Sequence, residues 1–152
     1  MPQPLDALTQ SLLSAAKRAG ADAADAMAVQ GTSVSIDVRA GALEHAERSE
    51  GVDIGLRVFV GRKVANVSAS DTSIRTIDEM AQRAVAMAQE APDDPYAGLA
   101  DPSQLIADWD IDALELHDAT PEPAPDTLQQ DAAEAEAAAI DVHGITQVQS
   151  AS

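Results

Sequence analysis

Apolar and polar residues alternate through much of the first half of the chain. Val34, Ile36 and Val38 alternate with polar neighbours, and a longer alternation of the same kind runs through residues 52–60. A period of two predicts β-strands that bury one face and turn the other towards water or another layer. Further short strands are predicted over residues 25–30 and 64–69.

Three glycines indicate where the predicted strands turn back. Gly41, Gly51 and Gly61 each fall at the end of a predicted strand. The run Val60-Gly61-Arg62-Lys63 is typical of a two-residue hairpin with glycine first, which is the preference of a type II′ turn. Residues 34–71 are therefore predicted to form an antiparallel meander.

Helical spacing of apolar residues appears on both sides of the meander. The first helix is predicted with Pro4 at its first position and Gly20 directly after its end, and its apolar residues at helical spacing are Leu5, Leu8, Leu12, Ala15 and Ala19. The second helix is capped within residues 70–73, runs to about Gln89 and is stopped by Pro92. Its apolar stripe is predicted to consist of Ile74, Ile77, Ala81, Ala84, Val85 and Ala88.

The remainder of the chain predicts one more helix between irregular segments. Residues 92–105 form a turn-rich connection, residues 108–116 fit either a strand or an extended loop, and the proline-rich residues 120–125 predict a stiff linker. Asp126 or Thr127 is expected to cap an alanine-rich third helix that runs to about Asp141.

These elements predict an α+β fold, in which an antiparallel or mixed β-sheet meander of about 4–5 strands packs with about three helices. Residues 1–144 are expected to form a single domain. Residues 145–152 look like the start of a further strand, so we expect them to open the following segment of an apparently truncated chain.

The amino-acid composition excludes several kinds of site and cellular setting. There is no cysteine, which excludes disulfides, thiolate metal sites and a cysteine nucleophile. No basic and apolar leader and no run of about 20 apolar residues is visible, so a reducing cytoplasm is expected and no membrane contact.

The net charge of −17 is concentrated in the second part of the chain. From Pro92 onwards there are 14 Asp and Glu residues and no Lys or Arg. Such a segment repels phosphate backbones, so direct nucleic-acid binding is not expected. The acidic surplus fits solubility in an acidic proteome, docking to a basic partner surface, or mimicry of DNA.

The histidines and glutamates do not form a recognisable catalytic pattern. His45, His117 and His143 are far apart in sequence and outside any zinc-protease motif, so only the fold could bring them together. Glu44, Glu47 and Glu50 recur every three residues. On a strand Glu44 and Glu47 face opposite sides, and ion pairs with Arg39, Arg48 or Arg57 are a simpler role for them than paired-carboxylate catalysis.

Other candidates have equally ordinary interpretations. Asp93, Asp94 and Asp101 lack the spacing of a calcium loop and fit a rigid proline-rich connection. The serines and threonines of residues 68–73 fit a strand end and a helix cap better than a nucleophile. Trp109 is the single indole, and it could cover a thin core or mark an interface. We therefore assign no catalytic, metal-binding or cofactor-binding residue.

Several motifs in the meander resemble the N-terminal domain of the TldD/PmbA family, a family of cytosolic zinc metallopeptidase proteins also known as modulators of DNA gyrase. The resemblance rests on three stretches: Arg39-x-Gly41-x-x-Glu44-x-x-Glu47, then Gly51-x-x-x-Gly55-x-Arg57-Val58, then Ala65 with Ser70-Asp71. The proline-rich run over residues 91–102 is similar to the PmbA (TldE) branch of that family.

The resemblance implies a particular place in a larger enzyme. Family members pair a TldD-type subunit, which carries the zinc ligands, with a PmbA-type subunit that lacks them. No family metal ligand can be carried onto a position of this sequence. The chain would then be the non-catalytic N-terminal domain of a PmbA/TldE-like subunit, with extended peptides as the substrates of the complex and zinc in the partner.

Two classes of function follow from this resemblance. The chain could contribute to the peptide chamber and the subunit interface of a metallopeptidase complex, or it could be a non-enzymatic acidic regulator of DNA gyrase. A meander has two strand edges, and bare edges invite pairing with another chain. We expect a free edge to serve peptide or partner binding, unless the third helix or the proline-rich linker covers it.

Overall fold

The computed structural model describes residues 4–106 and 110–152. Its elements follow in the order α1 (Leu5–Ala19), β1 (Ala23–Arg39), β2 (Ala42–Val60), β3 (Lys63–Ala69), α2 (Ile74–Glu90) and α3 (Pro125–Ile140), with a single 3₁₀ turn at Pro102–Gln104. The predicted α+β class and the three helices are confirmed.

The sheet has three strands in the order β1-β2-β3, fewer than the predicted 4–5. The prediction of a turn at Gly51 is wrong, because Gly51 lies inside β2, just as Gly31 lies inside β1. Positive φ angles occur instead at Gly41 (70°) and Gly61 (59°), where the chain does turn back. Glycine permits a turn without requiring one, so two long strands replace four short ones.

The β2–β3 hairpin has the register that its two-residue turn dictates. Val60 pairs with Lys63, Leu56 with Val67 and Ile54 with Ala69. Gly61 has a positive φ and Arg62 does not, as a type II′ turn requires. The Ala40–Gly41 turn between β1 and β2 differs, because both residues have positive φ (52° and 70°), which is the type I′ pattern.

The chain divides into two compact units. Unit 1 comprises residues 1–31 and 51–107, and unit 2 comprises residues 32–50 and 108–152, so β1 and β2 contribute residues to both. The expectation of a single domain over residues 1–144 stays a prediction.

Unit 1 contains the main hydrophobic core, in which α1 and α2 pack together and α2 packs on β3. The predicted inward face of β2 is confirmed, since Ile54, Leu56 and Val58 are at most 2% exposed. The α2 stripe is confirmed except at Ile74, which is 70% exposed; Met80 is buried in its place. The core consists of Leu8, Leu12, Ala15, Ala16, Ile54, Leu56, Val58, Ala65, Val67, Ile77, Met80, Ala81, Ala84, Val85 and Ala88.

Local signals fix the ends of the two helices of unit 1. Gly20 adopts φ 100° after α1, and the N–H groups of Gly20 and Ala21 donate to the carbonyls of Lys17 and Ala16 in a Schellman arrangement. At the start of α2, the Ser73 hydroxyl accepts the Thr76 N–H at 3.3 Å, as an N-cap residue should.

Unit 2 has a much smaller apolar cluster. Ile36, Val38 and Ala132 are buried, with Leu128 and Ala133 packed against them. Pro125 occupies the first turn of α3 after Ala124, so the predicted caps Asp126 and Thr127 are wrong; Pro125 suits that turn because it needs no N–H partner.

Two further segments of unit 2, residues 110–116 and the tail, differ from a regular strand. Residues 111–115 form turns, and no strand is present among the described residues 110–116. In the tail, the expected strand reduces to one antiparallel bridge between Ala151 and Val38.

Candidate functional site

The three histidines occupy separate places in the chain. His45 lies in β2, 3.5 Å from the carboxylate of Glu47, and both side chains are exposed. His117 lies in the extended stretch before α3 and His143 just after that helix. Within residues 4–106 and 110–152, no group of three or more His, Asp or Glu side chains is placed to hold a metal ion.

Two of the three glutamates of β2, Glu44 and Glu50, make local ion pairs with arginines. Arg39 Nη1 lies 3.2 Å from Glu44 Oε1, and Arg48 Nη2 lies 2.8 Å from Glu50 Oε1. Arg48 also pairs with Glu122, whose hydrogen bond is the main cause that raises the pKa of the Arg48 guanidinium. The expected pairing is confirmed at Arg39 and Arg48. The third alternative, Arg57, pairs with Asp25 instead of a glutamate.

Asp94 and Asp101, two of the three acidic residues in the 92–101 loop, organise its main chain. Asp94 Oδ1 accepts the Tyr96 N–H at 2.8 Å. Asp101 forms a capping box with Gln104, and hydrogen bonds from the Ser103 side chain and N–H lower the pKa of its carboxyl. These carboxylates are therefore occupied with local turns.

The hydroxyl-rich run before α2 forms the cap that the sequence predicts. Ser73 caps the helix, and Asp71 accepts hydrogen bonds from the Ser73 N–H (2.9 Å) and from Thr76. Trp109 lies outside the described residues.

A structural role that the sequence did not suggest belongs to Glu136 on α3. Its side chain is buried, at 6% exposure, and its two carboxylate oxygens accept the N–H groups of Ala40 (2.7 Å) and Gly41 (2.8 Å). These donors are the two central residues of the β1–β2 turn. A buried carboxylate needs such donors, and charge-assisted hydrogen bonds are stronger than neutral ones. A signal exists in the sequence, because Leu128, Ala132, Glu136 and Ile140 share one helix face at intervals of four residues.

A groove of about 560 Å³ lies beside this carboxylate, entirely within unit 2. Its walls come from the β1–β2 turn, from the second half of α3 and from residues 146–148. Both charged residues in its lining are engaged: Glu136 holds the turn and Arg39 pairs with Glu44. The groove can accept an apolar group, but it presents no free acid or base.

Unit 1 presents a polar face of the sheet on the side opposite its helices. Arg57 Nε donates to Asp25 Oδ1 at 2.9 Å, and the Arg57 guanidinium lies 5.3 Å from the ring centroid of Phe59. The hydrogen bonds that Arg57 donates to Asp25 are the main cause that raises the pKa of the Arg57 guanidinium. Asp25, Met27, Arg57 and Asn66 line a shallow depression of about 400 Å³ on this face.

The outer side of β3 is a strand edge, which we call the β3 edge and define as the main-chain N–H and C=O groups of Val64, Asn66 and Ser68. In a two-residue hairpin, the residues next to the turn form a hydrogen-bonded pair and every second pair follows suit. Lys63, Ala65, Val67 and Ala69 thus bond to β2, and the three residues between them direct their main-chain groups outwards. Among the hydrogen bonds of the described residues, none involves these outward groups.

The outer side of β1 differs in unit 2. Val38 and Ala151 exchange two main-chain hydrogen bonds, at 2.9 and 3.0 Å. The tail therefore pairs with this edge at one position, whereas a free edge was expected, with the third helix or the proline-rich linker as the alternative cover.

Comparison with known proteins identifies the class to which this fold belongs. The family model "PmbA/TldA metallopeptidase domain 1" matches residues 24–88, which include the sheet and most of α2. The metalloprotease PmbA of Escherichia coli O157:H7 is 32% identical over 120 residues, covering 78% of this chain and 26% of that protein. The chain therefore belongs to the TldD/PmbA family and carries its N-terminal domain.

Two crystal structures share the fold at 15% sequence identity. A "putative modulator of DNA gyrase" from Bacteroides thetaiotaomicron matches 91% of the chain with a TM-score of 0.72, and TldE from Thermococcus kodakarensis matches 88% with a TM-score of 0.65. The chain spans 31% and 29% of these two proteins, and about a quarter of PmbA.

None of the helices in the described parts of the chain combines the length and apolar character of a membrane span.

Proposed function

We propose that this chain is the N-terminal domain of a PmbA/TldE-type subunit, which is not catalytic itself and works in a cytoplasmic peptidase complex with a TldD-type partner. In this role the domain helps to shape the peptide chamber and the subunit interface. The observation that carries the proposal is the match to PmbA over 78% of the chain, together with the shared fold of TldE.

The side chains that the structure describes favour a structural role for this domain over a catalytic one. The buried carboxylate of Glu136 is committed to a turn, and Glu44 and Glu50 of β2 are committed to ion pairs. A hydrolase needs a base or nucleophile that can reach a substrate bond, with a further group that orients it. In the two surfaces described above, every titratable group has a structural partner.

The family implies zinc, and the donor set of this chain does not fit it. A catalytic zinc site takes three protein ligands in tetrahedral geometry, commonly histidine and carboxylate. His45 lies on an exposed strand with Glu47 as its neighbour, and the other histidines belong to different segments. We therefore place the metal in the TldD-type partner and derive no catalytic step through this chain.

The test combines the purified chain with a TldD-type subunit. We expect the mixture to elute as one complex in size-exclusion chromatography with light scattering. We also expect cleavage of unstructured peptides that requires the partner and is abolished by a zinc chelator. The chain alone should neither cleave peptides nor retain zinc in metal analysis. Stoichiometric zinc with chelator-sensitive cleavage by the chain alone would contradict the proposal.

A second candidate function rests on charge. Unit 2 carries 15 of the 26 acidic residues and only two of the nine basic ones, Arg39 and Arg48, which both pair with glutamates. Such a surface could occupy a DNA-binding groove of gyrase as a DNA mimic. This candidate predicts inhibition of DNA supercoiling by the chain, with gyrase binding that duplex DNA competes away. It also predicts, as the first candidate does, no shift of duplex DNA by the chain at physiological salt.

A further inference from the structure

The β3 edge carries an inference that rests on the proposed peptidase role and gives it a site. The outward N–H and C=O groups of Val64, Asn66 and Ser68 recur at every second residue, roughly 7 Å apart at the rise of an extended strand. An extended peptide presents its own groups at the same interval. We propose that the β3 edge binds an extended, uncharged or basic peptide as an added fourth strand.

The edge lacks the features by which proteins usually prevent such pairing. Natural edge strands are blocked by proline, by charged side chains, by bulges or by a covering segment. From Val64 to Ala69 the sequence contains no proline and no charged residue. The one lysine of the strand, Lys63, donates from Nζ to the carbonyl of Gln89 at 2.8 Å, so its charge is held at the start of the strand.

The surface beside the edge favours a transient peptide over a permanent subunit contact. Asn66 and Ser68 are exposed, short and uncharged, and the neighbouring Arg57 is neutralised by Asp25. Stable interfaces need exposed apolar or aromatic anchors. Phe59, which pairs with Val64, is buried at 4% exposure, and the exposed Met27 lies on β1, two strands away from the edge. Affinity would come from main-chain hydrogen bonds, which tolerate almost any peptide sequence.

The negative charge of the chain also limits which peptides can bind at the β3 edge. Unit 1, which contains the β3 edge, carries 11 acidic and seven basic residues, and the whole chain has a net charge of −17, so both repel acidic peptides and a second copy of the chain. If two β3 edges paired antiparallel, Asn66 of one chain would lie opposite Asn66 of the other. No ion pair across that contact would then offset the repulsion between the two negatively charged chains. A neutral or basic strand from an unfolded peptide meets neither obstacle.

The test uses the whole 152-residue chain and a labelled, unstructured peptide of Thr, Val and Lys, about ten residues long, followed by fluorescence anisotropy. Asn66→Pro removes one outward N–H without touching the ladder to β2, because Asn66 faces Arg57 in a pair that is not hydrogen-bonded. We expect affinity to fall roughly tenfold in Asn66→Pro and to stay unchanged in the control Asn66→Ala, which keeps the N–H.

A second measurement works on the unchanged protein. The peptide should slow hydrogen exchange at Val64, Asn66 and Ser68, whose amides face outwards. A peptide that is N-methylated at alternate residues loses the N–H groups along one of its edges, keeps those along the other edge and should still bind. A peptide that is N-methylated at consecutive residues loses N–H groups on both edges and should not bind. Equal affinity of both methylated peptides, or protection elsewhere in place of these three amides, would overturn the proposal.

Two further outcomes separate this inference from the proposed function. If the TldD-type subunit associates with the chain but no peptide protects the β3 edge, the edge proposal fails and the subunit role stands. If the peptide binds at the edge and no TldD-type subunit associates, the edge proposal stands and the subunit role fails. A homodimer that Asn66→Pro dissociates would overturn the edge proposal in favour of self-pairing.

Discussion

The two compact units of this chain bury apolar side chains to very different extents. Unit 1 has fifteen buried core residues, drawn from α1, α2, β2 and β3. Unit 2 has three, Ile36, Val38 and Ala132, and it also buries the charged side chain of Glu136. Since apolar burial is the main source of folding free energy, unit 1 is stabilised chiefly by its core, and unit 2 depends more on individual hydrogen bonds.

The two hairpin turns show the same contrast. In unit 1, the N–H of Gly61 donates to the exposed carboxylate of Asp22 at 2.7 Å. In unit 2, the N–H groups of Ala40 and Gly41 both donate to the buried carboxylate of Glu136. A buried carboxylate that loses its donors pays a desolvation cost that an exposed one does not, so the unit 2 turn is more sensitive to change.

The largest effect is expected in the core of unit 1. Leu56 is 2% exposed in the middle of β2, so Leu56→Asp would bury an unpaired carboxylate. That costs several kcal/mol, which is comparable to the roughly 5–15 kcal/mol of stability in a whole domain. We expect loss of far-UV circular dichroism or of soluble expression.

The control for this substitution is Ser68→Asp, which places the same charge on the exposed face of the neighbouring strand. It should leave the melting temperature nearly unchanged. A Leu56→Asp variant that melts like the parent chain would show that the inward face of β2 has been assigned wrongly.

The next effect concerns unit 2. Glu136→Gln keeps the size of the side chain, but the amide offers one acceptor oxygen and turns its NH₂ group towards the other N–H donor. Leaving a fully buried donor unsatisfied costs about 1–3 kcal/mol, and these N–H groups are only partly buried, so the loss should fall towards the lower end of that range. We expect a lower urea midpoint and faster hydrogen exchange at Ala40 and Gly41.

The matched control is Glu134→Gln on the same helix. Glu134 is exposed and accepts a hydrogen bond from Gln130 at 2.9 Å, which a glutamine can also accept. Equal stability of the Glu134→Gln and Glu136→Gln variants would show that the buried bonds to the turn contribute nothing.

The same residue shows the limit of prediction from sequence. The inward positions of β2, the type II′ turn at Gly61 and the first two helices follow from local patterns, and the structure confirms them. The partners of Glu136 lie 95 and 96 residues earlier in the chain. No local pattern connects them, because that contact depends on how α3 meets the turn.

Gly51 shows a second kind of limit. A glycine between two alternating stretches favours a turn when the chain is considered locally, and β2 nevertheless continues through it. The choice between a turn and a continuous strand depends on pairing with the neighbouring strand, which propensity does not describe. By contrast, the sequence does predict that the sheet has an exposed edge such as the β3 edge, because an open meander must have edges.

A smaller effect is expected at the helix cap of unit 1. Ser73→Ala removes the hydroxyl that accepts the Thr76 N–H, which typically costs about 1 kcal/mol. Urea unfolding measures the loss. Ser14→Ala, at an exposed position inside α1, should cause none, because alanine is the better helix former. Equal behaviour of both variants would argue against the cap.

A gain in stability is expected at the turn of unit 2. Ala40 has φ 52°, which disfavours an alanine, and type I′ turns prefer Asn followed by Gly. Ala40→Asn should raise stability by about 0.5–1 kcal/mol in urea unfolding. Ala42→Asn, at the start of β2, serves as the control and should not stabilise. An Ala40→Asn variant without a gain would mean that the left-handed conformation costs nothing in this turn.

The smallest effect is a dependence on pH at the start of α2. Hydrogen bonds from the Thr76 side chain and then from the Ser73 N–H and hydroxyl hold the pKa of Asp71 below its ordinary value. A carboxyl whose pKa is lowered by folding stabilises the folded state above its unfolded pKa of about 3.9, and this contribution disappears as the pH falls through the lower folded value.

Asp71→Asn should therefore be less stable than the parent chain at neutral pH, and the two should converge in acid. Urea unfolding of both proteins from neutral pH down to about pH 2 measures the difference, with Asp93→Asn in the exposed loop as the control. A difference between Asp71→Asn and the parent that stays constant over this range would show that the ionised carboxylate does not stabilise the start of the helix.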